Sequence, residues 1–566
     1  MKFRKGLSLT AICLLAFPLV WLACSGPAPE SAKEGELKST TTTGRTAPWL
    51  KNLGNLHRTV STNSPDAQHF FDQGLTLCYA FNHQESARSF MEAARVDPNC
   101  AMAYWGQALA LGPNINDPKP DAEREQQSYE AIQKALTLKS GASELEQALI
   151  DALATRFSEG KGKDRKQLNQ AYAKAMAKVY EKFPDDPDVG VLYAASIMNT
   201  MPWEYWSKDG KPQPGTKRLI SVLESVKERF PEHPGAHHYY IHAVEASPNP
   251  DSAVGSADKL GSLVPAAGHL VHMPSHIYIR VGRYTDATEA NRRAIAADED
   301  YITQCRAQGI YPADYYPHNI HFMWTTLSME GRSEEAIRAA RKAASKVTKE
   351  MLHEEGYAFG HLMRAIPTFA LVRFGKWDEI LNGPAPPADS PFLQGISYYA
   401  RGLAFIAKGD LKSASGEQEK LELVALDPAL EEMKIWELNS LGRLLKIASE
   451  ILTGELAAKR GDFKTAVVHL KSGVKMEDGL VYSEPPDWPH PVRHWLGAVL
   501  LEAGRPAEGE KVYREDLTRH RDNGWALMGL VKSLEAQGKT AEADKVHARF
   551  NEVWSHADVK LVASRF

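Results

Sequence analysis

Cysteine is scarce in this chain. Of five cysteines in 566 residues, Cys13 and Cys24 sit in the N-terminal apolar stretch, leaving Cys78, Cys100 and Cys305 for the body. Three thiols make no disulfide framework, so stability has to come from packing, with at most one bridge, of which Cys78 to Cys100 is the better pair. A cationic excess is missing too: 67 Lys and Arg stand against 71 Asp and Glu, a net charge of −4. A nucleic-acid backbone is normally held by a clustered basic footprint, so nucleic acid is not an expected partner. The sequence contains no strand alternation of useful length, no glycine-rich loop followed by Lys-Ser or Lys-Thr, no Gly-x-Ser-x-Gly elbow and no His-Glu-x-x-His pair. Phosphate cradling, serine hydrolysis and zinc-peptidase chemistry therefore have no support. What remains is globular by composition, with 43% apolar, 24% charged and 9% aromatic residues, which excludes a disordered chain, a collagen and a polytopic membrane protein.

Residues 1–23 read as an export signal. Lys2, Arg4 and Lys5 precede an almost unbroken apolar run from Leu7 to Leu22, short for the ~20 residues that span a bilayer. Ala23-Cys24-Ser25-Gly26 resembles the lipobox of bacterial lipoproteins, with Trp21 where Leu, Val or Ile usually stands. That resemblance implies lipidation of Cys24, a periplasmic or cell-surface location, and membrane attachment through the lipid alone. Residues 24–47, rich in Ser, Thr, Pro, Gly and Lys, cannot bury enough surface to fold and are expected to be a disordered tether.

A repeat runs through the rest. Gly282-Arg283-Tyr284 is followed by Ala287 and Ala294, and the cadence recurs at Phe70, Gly74, Ser86, Phe90, Ala93 and Pro98. It returns at Gly331 and Ala336, Gly375 and Trp377, Gly409 and Ala414, Gly461 and Ala466, Gly504, Gly509 and Tyr513, and Gly538 and Ala543. Small residues let paired helices approach and large apolar ones fill the gaps. The pattern resembles the tetratricopeptide repeat (TPR) family over most of the chain. The resemblance implies an all-α fold, a TPR-type α-solenoid superhelix of stacked antiparallel helix pairs, with peptide or protein binding in its concave groove. The runs 81–87, 269–278 and 491–497 are similar to a subgroup of exported bacterial TPR lipoproteins, which supplies a fold and little chemistry. Irregular inserts fall at 111–120, 200–216 and 382–391; the last is expected to be a hinge between an N-terminal lobe, 48–381, and a C-terminal lobe, 392–566.

Eight of the 20 histidines lie between 237 and 321. His238 and His242 are i,i+4 with Glu245 three further on; His269, His272 and His276 are i,i+3,i+7; His318 and His321 are i,i+3. On a helix each set shares one face. Counted from their glycine and alanine landmarks, these seven histidines and Glu245 fall on positions that line the groove in proteins resembling TPRs, whereas His237 falls between helices. Neighbouring helices pack ~10 Å apart, so imidazoles from adjacent units can meet around an ion held at ~2.0–2.2 Å. With Glu245 as ligand or base, the set suits copper, iron, zinc or manganese, as one ion or two, in a redox or hydrolytic centre. A metal-free, pH-sensitive peptide groove in an envelope interaction scaffold, and metal storage or delivery, are the alternatives. Trp203, Tyr205, Trp206, Tyr311, Tyr315 and Tyr316 are candidate walls for a small molecule or peptide. Tyr239, Tyr240 and Tyr278 read as packing residues. Arg280 and Arg283 are candidate contacts for an anionic substrate. His57, His83, His353, His469, His520, His547 and His556 read as ordinary surface or packing residues.

Overall fold

The computed structural model describes residues 44–159, 164–305, 311–354 and 356–566. The export signal, Cys24 and most of the expected tether lie outside the described residues. Among the described residues the chain is all-α, with 26 α-helices and one antiparallel pair of two-residue strands, Lys434–Ile435 and Asn439–Ser440. None of these helices is long and apolar enough to cross a membrane.

Helix starts follow local chemistry. Ser64 before Pro65 and Asp186 before Pro187 each place a capping oxygen ahead of a proline in the first turn, and Ser143 with Glu146 closes a capping box. Each helix then packs on its sequence neighbour, as Pro65–Tyr79 on His83–Val96, Pro391–Lys408 on Leu411–Ala425, and Leu441–Lys459 on Phe463–Glu477. The short turns between partners make these pairs antiparallel, and their succession is a TPR-type solenoid. Its turn glycines, Gly282, Gly331, Gly375, Gly409, Gly461, Gly504 and Gly538, all have φ between 60° and 83°, the left-handed conformation that ends a helix at little cost only without a Cβ.

The same packing unit recurs near both ends. A Cβ on Gly74 or Gly106 would meet the Phe90 ring at 2.9 or 2.3 Å, and one on Gly497 or Gly529 would meet the Tyr513 ring at 2.3 or 2.2 Å. In each case one ring on a second helix enters the hole left by glycines on the first helices of two successive units, 32 residues apart.

The array folds back on itself. Trp525 Nε1 donates to Ser328 O at 2.9 Å, Arg521 pairs with Asp251 at 2.8 Å, and Asn116 donates to the Tyr315 hydroxyl at 2.8 Å. Ser333 N donates to Asp558 Oδ1 at 2.7 Å, and a Cβ on Gly282 would stand 2.8 Å from Arg521 O. The expectation of an open groove is corrected accordingly: six of its seven histidines are 0–4% exposed, and His318 is half-buried. The last residues of the expected tether are also fixed. Thr46 N donates to Glu92 Oε2 at 2.8 Å, Arg88 Nε donates to Thr46 O at 2.9 Å, and Ala47 is fully buried. Cys78, Cys100 and Cys305 are buried and free, so the one bridge the sequence allowed, Cys78 to Cys100, is not formed. Cys78 lies near the end of Pro65–Tyr79 and Cys100 caps the start of Ala101–Leu111. Those two helices run the same way, which puts the thiols at opposite ends, beyond disulfide reach.

Candidate metal centre

Three helical stretches carry the histidines. Pro234–Val244 is started by Pro234 and by the His233 ring, which accepts from Ala236 N, and it bears His238 and His242, with Glu245 as its C-cap. Gly268–His272 and Pro274–Val281 are joined through Met273, whose φ of −50° and ψ of −35° are helical, so Pro274 interrupts hydrogen bonding without turning the chain. His269 and His272 lie before that joint and His276 after it. Tyr316–Met329 bears His318 and His321.

Four of these rings are oriented through Nδ1. His238 Nδ1 faces Tyr79 O at 2.6 Å, His242 Nδ1 faces Glu245 Oε1 at 2.8 Å, His272 Nδ1 faces Asn291 Oδ1 at 2.6 Å, and His276 Nδ1 faces Glu245 Oε2 at 2.5 Å. Asn291 Nδ2 donates to Ala287 O at 2.8 Å, which turns its oxygen toward the histidine. Every partner is an acceptor, so the network assigns a proton to each Nδ1 and leaves Nε2 as the atom open to a second proton or a cation. This is the arrangement in which a carboxylate or carbonyl backs a metal-binding histidine.

The Nε2 atoms of three of these rings converge on one another or on His269. His238 and His269 approach Nε2 to Nε2 at 3.1 Å, and His272 and His276 at 2.9 Å. Bare lone pairs at that separation repel unless a proton or cation sits between them, whereas two nitrogens on one tetrahedral ion lie ~3.3 Å apart. His242 Nε2, His269 Nδ1 and His318 Nδ1 are buried without a hydrogen-bond partner. Ligand atoms fall within 4.8 Å of one another in three groups: His238, His242 and His269; His272, His276 and His318; and Glu245, His276 and Glu484.

Burial drives His238, His269, His272 and His318 well below the ordinary imidazole range, and neighbouring imidazoles add to the shift. The neutral ring it favours is the form that binds metal. For Glu245, burial pushes upward but is outweighed by His276 and His242, so the carboxyl is held below its usual range. For His276, burial pushes downward but is outweighed by Glu245 and Glu484, so the ring is raised. Glu484 itself is raised by burial. It stands 3.2 Å from His276 Nδ1, and neither of its oxygens makes a hydrogen bond.

Aromatic rings enclose the group. Ring centroids of Phe81 lie 4.5 Å from His238 and 5.2 Å from His269; Trp203 lies 5.1 Å from His242, Tyr315 5.0 Å from His269, and Trp436 5.8 Å from His318. Phe322 lies 4.7 Å from both His272 and His276. Phe81, Trp203 and Trp436 have φ of 59°, 63° and 47°. Bulky side chains seldom adopt that region, which costs about 1–3 kcal/mol each and collects at functional sites.

The remaining candidates go elsewhere. His321 belongs to none of the three groups; its ring stacks on Trp324 at 5.5 Å. Both His237 nitrogens are satisfied, by Ser256 Oγ at 3.1 Å and Pro231 O at 2.8 Å. Tyr311 donates to Asp298 at 2.7 Å and Tyr316 to Glu299 at 2.6 Å, away from the histidines. Trp206 donates to Ala243 O at 2.8 Å, and the buried Tyr205 makes no histidine ring contact. Tyr240 and Tyr278 donate to Glu224 and Asp258, each at 2.9 Å. Arg280 is spent on the carbonyls of Glu245 and Ser247, and Arg283 on Asp258 and Asp286. Glu484, Phe81, Phe322 and Trp436 were missed by sequence reasoning. The available signal was the proline-rich insert Glu484-Pro485-Pro486-Asp487, a helix-free stretch of the kind that places Trp203.

No family model matches this chain, and no curated protein matches it. Solved structures similar to it are helical-repeat proteins. The human IFIT1 dimer with m7Gppp-AAAA aligns with a TM-score of 0.32 and 11% identity, over 76% of this chain and 86% of that one. The APC/C hetero-tetramer Cut9–Hcn1 aligns with a TM-score of 0.27 and 13% identity, over 86% and 76%. The P58(IPK) TPR domain aligns with a TM-score of 0.23 and 12% identity, over 84% and 99%. At these scores no ligand or partner passes from them to this chain. The class rests on the chain's own geometry, a TPR-like array of helix pairs with a buried histidine cluster.

Proposed function

We propose that this is an exported TPR-like protein, lipid-anchored through Cys24, that holds transition-metal ions in its histidine cluster. His238, His242 and His269 form one set of ligands; His272, His276 and His318, with Glu484 beside them, form a second. Glu245 is the positioning residue for both sets, since its two oxygens hold His242 and His276 by their Nδ1 atoms. The observation that carries this reading is that three of the four Nε2 atoms meeting at 3.1 and 2.9 Å, those of His238, His272 and His276, belong to rings whose Nδ1 is committed to an acceptor. Imidazoles with a carboxylate and no thiolate suit copper, iron, zinc or manganese.

The enclosure supports work on, or keeping of, something small. The three histidines of the first set are exposed by no more than 3%, which favours a small ligand over a peptide there. A protein-interaction role draws on the TPR-like scaffold alone.

Elemental analysis tests the proposal. Full-length protein purified without a histidine tag is stripped, offered each of the four ions in turn, and desalted. At least one ion per chain should remain, and the His242→Ala, His272→Ala double variant should retain none while keeping its helical circular dichroism. Substoichiometric metal in the parent under all four conditions rejects the reading. Fatty-acid labelling that survives Cys24→Ala rejects the anchor.

A further inference from the structure

A second polar site lies against Phe81, the ring that contacts His238 and His269. A cavity of about 40 Å³ is lined there by Phe81, His83, Arg156, Tyr172, Asn199 and Tyr239, room for on the order of two or three waters or one small planar anion. Arg156 is 2% exposed, and its Nη2 has no hydrogen-bond partner. Its Nε reaches Asn169 Oδ1 at 3.3 Å, and its guanidinium lies 5.0 Å from the Tyr172 ring centre.

Charge is unbalanced at this point. The nearby cations have carboxylates of their own, Arg124 with Asp117 and Arg165 with Glu125 at 2.8 Å. Among the described residues no carboxylate pairs with Arg156. Burial pulls its guanidinium down to about 10, which still leaves a full positive charge at neutral pH. A buried cation without a counter-ion is costly, and a half-satisfied guanidinium adds an orphaned donor to that cost. Both ring nitrogens of His83 and Asn199 Oδ1 are likewise shielded and unpartnered. Together these atoms leave the cavity with unsatisfied donors and acceptors.

We propose that this cavity binds a small carboxylate, with its oxygens on the Arg156 fork and its remainder against the Phe81 and Tyr172 rings. The guanidinium plane fits a carboxylate by paired hydrogen bonds, and aromatic walls fit a short apolar body. The site stands on its own residues and does not depend on metal in the histidine cluster. It gives that cluster a neighbouring anchor for an organic acid, separated from the imidazoles by one phenyl ring.

The test uses metal-stripped full-length protein at constant ionic strength. Acetate and formate are titrated calorimetrically beside phosphate and chloride, and 13C-formate line width is followed on the parent alone. The expected result is saturable carboxylate binding, broadening of the formate signal that unlabelled acetate reverses, and affinity at least about tenfold weaker in Arg156→Gln. Absence of saturable heat or broadening in the parent overturns the proposal. So does unchanged affinity in Arg156→Gln, or binding of phosphate or chloride with none of acetate or formate. Should Arg156→Gln fail to fold, the parent's formate displacement and Arg156→Lys, which keeps the charge and loses the planar fork, carry the decision.

Discussion

Two regions of this molecule carry histidines at the same i,i+4 spacing and use them in opposite ways. In the cluster of residues 238–276 the acceptors sit on Nδ1 and the Nε2 atoms face one another. Near the C-terminus His490, just before the helix Val492–Glu502, and His494 within it repeat the sequence spacing, but His494 Nε2 is taken by Asp516 at 3.0 Å and its Nδ1 by Arg373 Nη1 at 3.2 Å. Asp516 also holds His520 at 3.0 Å and Asn523 at 3.0 Å, and Arg373 lies 3.7 Å from the Trp525 ring centre. Around His494 and Asp516 the second region is an ion network, with a guanidinium where the first has converging imidazoles, while His490 stands outside it with both ring nitrogens unpartnered. Spacing brings imidazoles together; which nitrogen is already spent decides whether a metal can enter. His520, read from sequence as an ordinary surface or packing residue, belongs to this network.

The largest effect separating the two regions should come from Asp516→Ala. His494 and His520 would lose the carboxylate they share, Arg373, which burial has already pulled down to about 9, would lose the countercharge that offsets it, and breaking such buried pairs costs about 3–5 kcal/mol. Denaturant unfolding should show that loss with metal content unchanged; metal loss would erase the distinction. The same carboxyl predicts an acid signature. Burial pushes Asp516 upward, but His494 and His520 outweigh it and hold it far below the usual carboxylate range. Its contribution to stability is therefore complete above about pH 4 and drains as pH falls further. The parent's stability should fall steeply below that point, and Asp516→Asn should flatten the slope.

Next in size is Glu245→Gln. One amide cannot accept from two Nδ1–H groups as a carboxylate does, so both ligand sets lose orientation. Metal affinity should fall about 10- to 100-fold in chelator competition, and the metal-free protein should also lose stability, because Glu245 is buried and paired with His242 and His276. A variant that binds metal as tightly as the parent would make Glu245 a bystander. Smallest of all should be His321→Phe. His321 already stacks on Trp324, and phenylalanine of similar volume should change stability by less than about 1.5 kcal/mol and leave metal content at the parental level. Loss of an ion there would return His321 to the ligand set.

Much of the fold was legible because its determinants are local. Gly282, Gly331 and Gly461 announce left-handed turns, and Phe90 with Gly74, like Tyr513 with its glycines, announces ring-into-hole packing between neighbouring helices. The helical spacing of His238 with His242 and of His272 with His276 was legible for the same reason. What local periodicity cannot carry is the return of the array on itself. That closure turns a groove into an interior, brings Glu484 to His276 from more than 200 residues away, and sets Phe81 and Trp436 against rings far along the chain. The Nδ1 partners were equally hidden: Tyr79 contributes a backbone oxygen, which no residue type advertises, and Asn291 lies on a second helix where an asparagine reads as a solvent-facing side chain.

Glu484 also sets a timetable. The first imidazoles exist once synthesis has passed residue 276, yet the carboxylate beside them arrives only after the polypeptide has run two hundred residues further and its late helices have docked. A cation caught early would meet an unfinished, wetter nest; one caught late would be sealed in by the closing of the chain. Docking of the late helices and closure of the histidine cluster thus become a single event, and truncation before residue 484 removes the Glu484 carboxylate from beside His276.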